Sequence, residues 1–181
     1  VSRFLKWDYY LSLLKVNISR LDSFSIFMSG LIMSVTPGKM GELLKAYLVK
    51  QISGTPISHT APIIFAERIT DFISLVIIGL AGAYVYDYGR NVVLGVGLFF
   101  LIVVVVISNK NIAIPIINQF EKIRFFKKYL LNIHAAYESV YWLLKPLPLF
   151  YMTMLSFVSW SFECLGYHLI LTNFDVNLSY L

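Results

Sequence analysis

From Val92 to Ser108 the chain reads "VVLGVGLFFLIVVVVIS", without a charged residue or a proline. A helix of that length rises about 26 Å, close to the roughly 30 Å hydrocarbon layer of a bilayer. A run this apolar is either buried on all sides or faces lipid. Composition favours lipid. Charged residues make up 14% of the chain, hydrophobic residues 58%, and mean hydropathy is +0.73, whereas soluble domains carry about a quarter charged residues. A single soluble core of this size would need far more polar surface. The chain therefore reads as an all-α, polytopic integral membrane helical bundle. It opens on Val1 and stops at Leu181 after an apolar segment, which leads us to expect a piece of a larger domain.

The other segments divide by length and pattern. Residues 2 to 20 read as an amphipathic helix: Phe4, Trp7, Leu11 and Leu14 recur at helical spacing, flanked by Arg3, Lys6, Lys15 and Arg20. Such a helix can lie in the headgroup layer or pack on its own protein. Residues 24 to 35 are apolar but short, a rise of roughly 18 Å, so they cannot cross alone. Thr36, Pro37, Gly38 and Gly41 then break the chain. A second helical segment follows, clustering Leu43, Leu44, Tyr47 and Leu48. Two half-length helices around a broken backbone predict a re-entrant hairpin over 24–51, since irregular backbone at membrane depth needs protein or a wet cavity around it. Full spans are expected over about 61–84, 92–108 and 147–172. A second amphipathic, interfacial helix is expected where Phe126, Leu130, Ile133, Tyr137 and Leu144 repeat. The whole, 1–181, forms one membrane domain.

Charge sets the orientation. The net charge is +5, which in a membrane protein speaks first to topology rather than to nucleic acid, and no nucleic-acid partner is expected. The 85–91 loop holds Arg90 alone, whereas the 109–146 segment holds Lys110, Lys122, Arg124, Lys127, Lys128 and Lys145. Lys and Arg gather on the cytoplasmic side, so segments 1–20, 39–50 and 109–146 are placed there, in a multi-pass protein of the cytoplasmic membrane. A re-entrant hairpin satisfies all three placements; a full crossing at 24–51 would not.

Three charges sit where lipid would exclude them. Glu67, Arg68 and Asp71 lie a few turns into the expected first span. At about 100° per residue Asp71 falls about 40° from Glu67, and Arg68 about 100°, so all share one side. Ionisable groups at membrane depth face a protein interior or a wet cavity. Glu42 adds an acid from the hairpin, and Lys39 and Lys45 can compensate. Glu163 is a further intramembrane acid, with Ser159 and Tyr167 one turn away on either side. Two readings stay open. One is a polar groove for a charged headgroup, formed by Lys39, Glu42, Glu67, Arg68, Asp71 and Glu163. The other is a buried ion-pair lock between hairpin and span.

Other chemistry finds no foothold in the sequence. Cys164 is the lone cysteine, so no disulfide forms within the chain. His59, His134 and His168 are scattered and lack metal-ligand spacing. "TPGKMGE" lacks the spacing and the Lys-Ser/Thr end of a P-loop, and no nucleophile elbow is present. No cofactor, metal site or catalytic residue is assigned. Gly79 and Ala83 form a small-xxx-small pair that points to close helix packing.

The blocks "RFLKWDYYLSLL", "TPGKMGELLKAYLV" and "AERITDFISLVIIGLAG", in that order and spacing, resemble the lysylphosphatidylglycerol synthase transmembrane-region family, also called flippase-like domain proteins. Pro37, Gly38, Gly41, Glu42, Glu67, Arg68 and Asp71 occupy the positions matching its "PGxxGE" and "ER..D" pattern. The family's later "TPGG.G" segment is absent, which fits a truncated domain. The resemblance implies membrane lipids as partners, either phospholipid or polyprenyl-linked. It also implies translocation of a lipid headgroup, with any transferase chemistry in a separate soluble domain. The alternative is a membrane component of a glycosyl- or aminoacyl-transferase acting on such lipids, with Glu67 or Asp71 as base. Protein partners stay open between a second copy of the chain and a partner enzyme domain.

Overall fold

A computed structural model describes residues 1–33, 40–86, 89–121 and 130–173. The described residues form eight α-helices and no strand: α1 (Ser2–Leu13), α2 (Arg20–Ile32), α3 (Met40–Ser53), α4 (Ile57–Tyr86), α5 (Arg90–Ser108), α6 (Lys110–Glu121), α7 (Leu130–Leu143) and α8 (Pro146–Asn173). The expected hairpin break at Thr36, Pro37 and Gly38, together with Lys39 and Phe126, lies outside the described residues.

The first amphipathic segment is two helices. α1 stops at Leu13 because Lys15 takes a left-handed φ of 56°. The Val16 N–H then bonds Leu11 O, and the Lys15 N–H bonds Ser12 O, each at 3.0 Å. These are the paired bonds of a Schellman motif, here with lysine where glycine is usual. Val16 and Leu11, both buried, supply the apolar contact that accompanies it. Ser19 opens α2, its hydroxyl accepting the Asp22 N–H at 3.1 Å, a side-chain N-cap. α1 packs on the bundle: Trp7, Tyr10 and Leu11 are buried, and the helix meets α4 and α8.

α4 is the axis of the bundle and touches α1, α3, α5, α7 and α8. It begins at Ile57 and carries Pro62 inside, so it starts about one turn before the expected boundary. The proline lacks one donor near the helix start, and the turn before it still forms. Ile63, Ala66 and Ile69 face a core completed by Trp7, Ile26, Phe27, Val49, Leu143, Leu144 and Met152.

α2 and α3 pack on each other as the hairpin reading expects. They meet through glycines at the ends facing the break. A Cβ on Gly30 would run into the Lys45 side chain, and one on Gly41 into the backbone of Met33. Small residues at these points let the two backbones approach closely. A Cβ added at Gly79 would meet Val93 of α5 at ordinary contact distance, so α4 and α5 do not approach closely enough there to require a glycine.

α5 buries none of its residues. It leans on α4 through a stack of Phe72 on Phe100, with ring centroids 4.5 Å apart, and leaves Leu98, Phe99, Leu101 and Ile102 exposed. The distal half of α8 likewise exposes Phe162, Leu165, Leu169 and Ile170. α5 and α8 are long and apolar enough to cross a membrane. α4 has the length, 30 residues, but carries the three charges. α6 is a separate helix that the sequence reading did not resolve. Lys110 at its start donates to Glu138 Oε1 of α7 at 2.8 Å, and that bond raises the lysine pKa. α7 buries Tyr137 and Leu143 in the bundle.

The glycine contacts predict an asymmetry. Gly41→Ala is expected to destabilise the protein by about 1–3 kcal/mol through overpacking against Met33. Gly82→Ala, where nothing lies near the added Cβ, should leave stability unchanged or slightly raised. Thermal unfolding of both variants in detergent checks this, and equal losses at the two positions would contradict the close approach at Gly41.

Candidate functional site

The site starts from the repeat of α4. Glu67, Thr70, Asp71 and Ser74 stand one turn apart on one face, and all four are buried. The two hydroxyls are anchored to the helix itself, Thr70 to Ala66 O at 3.1 Å and Ser74 to Thr70 O at 2.8 Å. Ser74 also donates to Thr153 O of α8 at 3.0 Å. That leaves two carboxylates on a buried face, each requiring a cation.

α1 supplies the first. Lys6 Nζ lies 2.7 Å from Asp71 Oδ1, 3.0 Å from Thr70 Oγ1, 2.7 Å from Ser156 Oγ and 3.2 Å from Glu67 O. Four acceptors surround three N–H donors, so the ammonium is fully enclosed. Ser156 Oγ also lies 2.9 Å from Asp71 Oδ1. This one centre joins α1, α4 and α8. α3 supplies the second cation: Lys45 Nζ meets Glu67 Oε2 at 2.8 Å and sits over the Trp7 ring, 4.5 Å from its centroid. Cation–π contact of this kind strengthens when desolvated.

Arg68 points to the same side. Its Nη2 meets Glu42 Oε1 of α3 at 2.8 Å, and its Nη1 lies 3.5 Å from Asp71 Oδ2. Its side chain remains 33% exposed. Beside these pairs is a cavity of about 120 Å³ lined by Arg3, Lys6, Glu42, Lys45, Glu67, Arg68 and Asp71, with Phe27, Gly30 and Leu31 completing the wall. That volume admits water or a small polar group. Among the described residues no three His, Cys, Asp or Glu side chains converge to hold a metal.

The sequence reading placed Glu42, Glu67, Arg68 and Asp71 in one group, with Lys45 as a compensating charge, and the structure brings all five together. Lys39 lies outside the described residues. Glu163 does not line the cavity. It pairs with Arg3 at 2.6 Å, both side chains being about half exposed, while its neighbour Ser159 bonds Ser2 at 2.6 Å instead. Lys6 and Arg3 were missed as site residues and treated only as flanking charges. A signal was present: Arg3, Lys6 and Tyr10 fall on one helical face next to Trp7, so a lysine stands within the apolar stripe.

Breaking the enclosed pair should be costly. With 4% and 13% side-chain exposure at Lys6 and Asp71, Lys6→Met is expected to lose about 3–5 kcal/mol, because Asp71 is left buried with reduced compensation. The double variant Lys6→Met, Asp71→Leu should recover a large part of that loss. Thermal unfolding of single and double variants measures the coupling, and strictly additive losses would contradict the pairing.

Comparison with known proteins follows the same lines. The family described as "Lysylphosphatidylglycerol synthase TM region" matches residues 1–181. A UPF0104 membrane protein of Methanocaldococcus jannaschii is 26% identical over 159 residues, covering 82% of this chain. The chain spans 63% of that relative's length. No solved structure matches. With its helical architecture, its two apolar helices of spanning length and its family match over residues 1–181, this chain belongs to the lysylphosphatidylglycerol synthase transmembrane-region family and is a membrane protein.

Proposed function

We propose that the chain handles a phospholipid or lipid-linked headgroup in the polar cavity between α1, α3 and α4 and passes it between leaflets of the cytoplasmic membrane. The observation that carries this reading is the cavity itself: a small polar space walled by paired charges inside an otherwise apolar helical bundle. Lipid tails are excluded from such a space by its charges, while a headgroup replaces hydration with fixed partners. In this reading α2 and α3 are the arms of a re-entrant hairpin whose outer ends lie on the cytoplasmic side. α4, α5 and α8 are the spans, and the apolar exposed faces of α5 and α8 contact acyl chains.

The ion pairs between α3 and α4 also hold the hairpin to the span, so structure and transport have to be separated by experiment. Purified protein is reconstituted into liposomes carrying a labelled phospholipid, and leaflet exchange is compared with protein-free liposomes. Exchange should rise with protein. Arg68→Gln should slow it by about tenfold or more, as expected for loss of a charge-assisted contact. If Arg68→Gln and Glu67→Gln leave exchange intact and lower only the melting temperature, the cluster is a structural lock and the transport reading fails.

A further inference from the structure

On the side of α4 away from the charged cluster the bundle carries an apolar groove. Val76 and Leu80 stand about 140–180° around α4 from Glu67 and Asp71. With Leu94, Leu101 and Val105 of α5 they wall a space of about 550 Å³, which Leu149 of α8 closes at one end. Every side chain that lines it is aliphatic or aromatic. A Cβ on Gly97 would come within 2.9 Å of Val76 Cγ1, so α4 and α5 touch there and give the groove a floor. It opens sideways, since α5 buries none of its residues. From Leu94 to Val105 the helix rises about 16 Å, close to the depth of one leaflet, half of the roughly 30 Å hydrocarbon layer.

Two ammonium groups gather at the end marked by Val105 and Leu149. Lys145 lies one turn before Leu149, its carbonyl accepting the Leu149 N–H at 2.9 Å, and Lys110 opens α6 shortly after Val105. Both reach one ring of α7: Lys110 Nζ lies 4.4 Å from the Tyr141 centroid and Lys145 Nζ 5.9 Å. Lys145 Nζ also sits 3.3 Å from the Trp142 centroid. The Tyr137 hydroxyl donates to Ile107 O at 3.1 Å, which holds this aromatic shelf to the end of α5. A ring face positions an ammonium and leaves N–H donors for other acceptors. Glu138 takes a donor of Lys110 in a pair 38% and 52% exposed, and exposed pairs contribute little. Among the described residues Lys145 meets rings and no carboxylate. A surplus positive charge therefore stands at the mouth of the groove, among the tyrosine and tryptophan side chains that favour the membrane–water boundary.

We infer that the groove between α4 and α5 holds one acyl chain of a resident anionic phospholipid, whose phosphate is bound by Lys145 with Lys110 beside it. The charge at the mouth selects the anionic class, and the uniformly apolar wall takes the chain. This site lies across α4 from the polar cavity and does not depend on the transport reading.

The test is binding by the full chain in nonionic detergent, with bound molecules counted by native mass spectrometry. Three probes are compared: dioleoyl phosphatidylglycerol, dioleoyl phosphatidylcholine and glycerol phosphate. The phosphatidylglycerol is expected to bind about tenfold more tightly than the phosphatidylcholine, the scale of one charge-assisted contact. Lys145→Gln should remove that preference and Lys145→Arg should keep it. Glu138→Gln should tighten phosphatidylglycerol binding a few-fold, because a competing carboxylate is gone. Leu101→Trp, at an exposed position, fills the groove and should weaken both lipids; a melting curve verifies that the variant keeps its fold. Arg68→Gln, in the cavity, should leave this binding unchanged. Equal binding of the two lipids, or indifference to Lys145→Gln or to Leu101→Trp, overturns the inference. So does loss of the lipid in Arg68→Gln but not in Lys145→Gln, which places it in the cavity instead. Glycerol phosphate binding as tightly as the phosphatidylglycerol shows that the groove adds nothing, and a dimer that Leu101→Trp dissociates shows a second chain covering it; either result overturns the assignment.

Discussion

The rest of the structure depends on the ammonium of Lys6. An ionised group among apolar helices is held only where its partners are complete, and Lys6 of α1 finds them on two other helices: Thr70 and Asp71 of α4, and Ser156 of α8. That fixes α1 against the bundle axis. Trp7, the next residue, is thereby set under Lys45, and Lys45 reaches Glu67. α3 is drawn to α4 through this pair and again through Glu42 and Arg68. One enclosed cation thus begins a chain of contacts that orders four helices.

Electrostatics alone would not bring the backbones close enough for these pairs. The aliphatic part of Lys45 crosses α2 at Gly30, where a Cβ would collide with it. Gly41 lets the start of α3 rest on Met33 at the end of α2. The missing side chains and the buried charges are two parts of one arrangement, since the lysine can reach inward only because α2 presents no Cβ in its path.

Much of this was legible. Helices α4, α5 and α8 follow from apolar runs of spanning length, and the grouping of Glu67, Arg68 and Asp71 follows from helical periodicity alone. The nearness of Glu42 to that face follows from the hairpin reading, whereas its pairing with Arg68 emerges only in the structure. What was not legible has identifiable physical causes. The end of α1 is set by a left-handed lysine, a conformation for which only glycine and asparagine give a sequence signal. The separation of α6 from α7 is hidden because both fall in a polar, basic stretch where hydrophobic periodicity is weak. The role of Lys6 was obscured by its sequence neighbours: among Arg3, Lys15 and Arg20 it reads as one of several interfacial cations. The partner of Glu163 was sought on its own helix, whereas Arg3 arrives from a helix far away in sequence, a pairing no local pattern encodes.

The ion pairs and the cavity are built from the same residues. The same carboxylates that hold α3 and α1 to α4 form the wall of the cavity, so the charge that stabilises the bundle also sets the potential a ligand meets. Each of those carboxylates faces a cation within the fold, Glu42 with Arg68, Glu67 with Lys45 and Asp71 with Lys6. At the edge of the cavity Arg3 is tied by an exposed pair, and Arg68 Nε is buried without a partner. The acids of this cluster hold three helices together and at the same time make the cavity polar, so neither property can be changed at Glu42, Glu67 or Asp71 without touching the other.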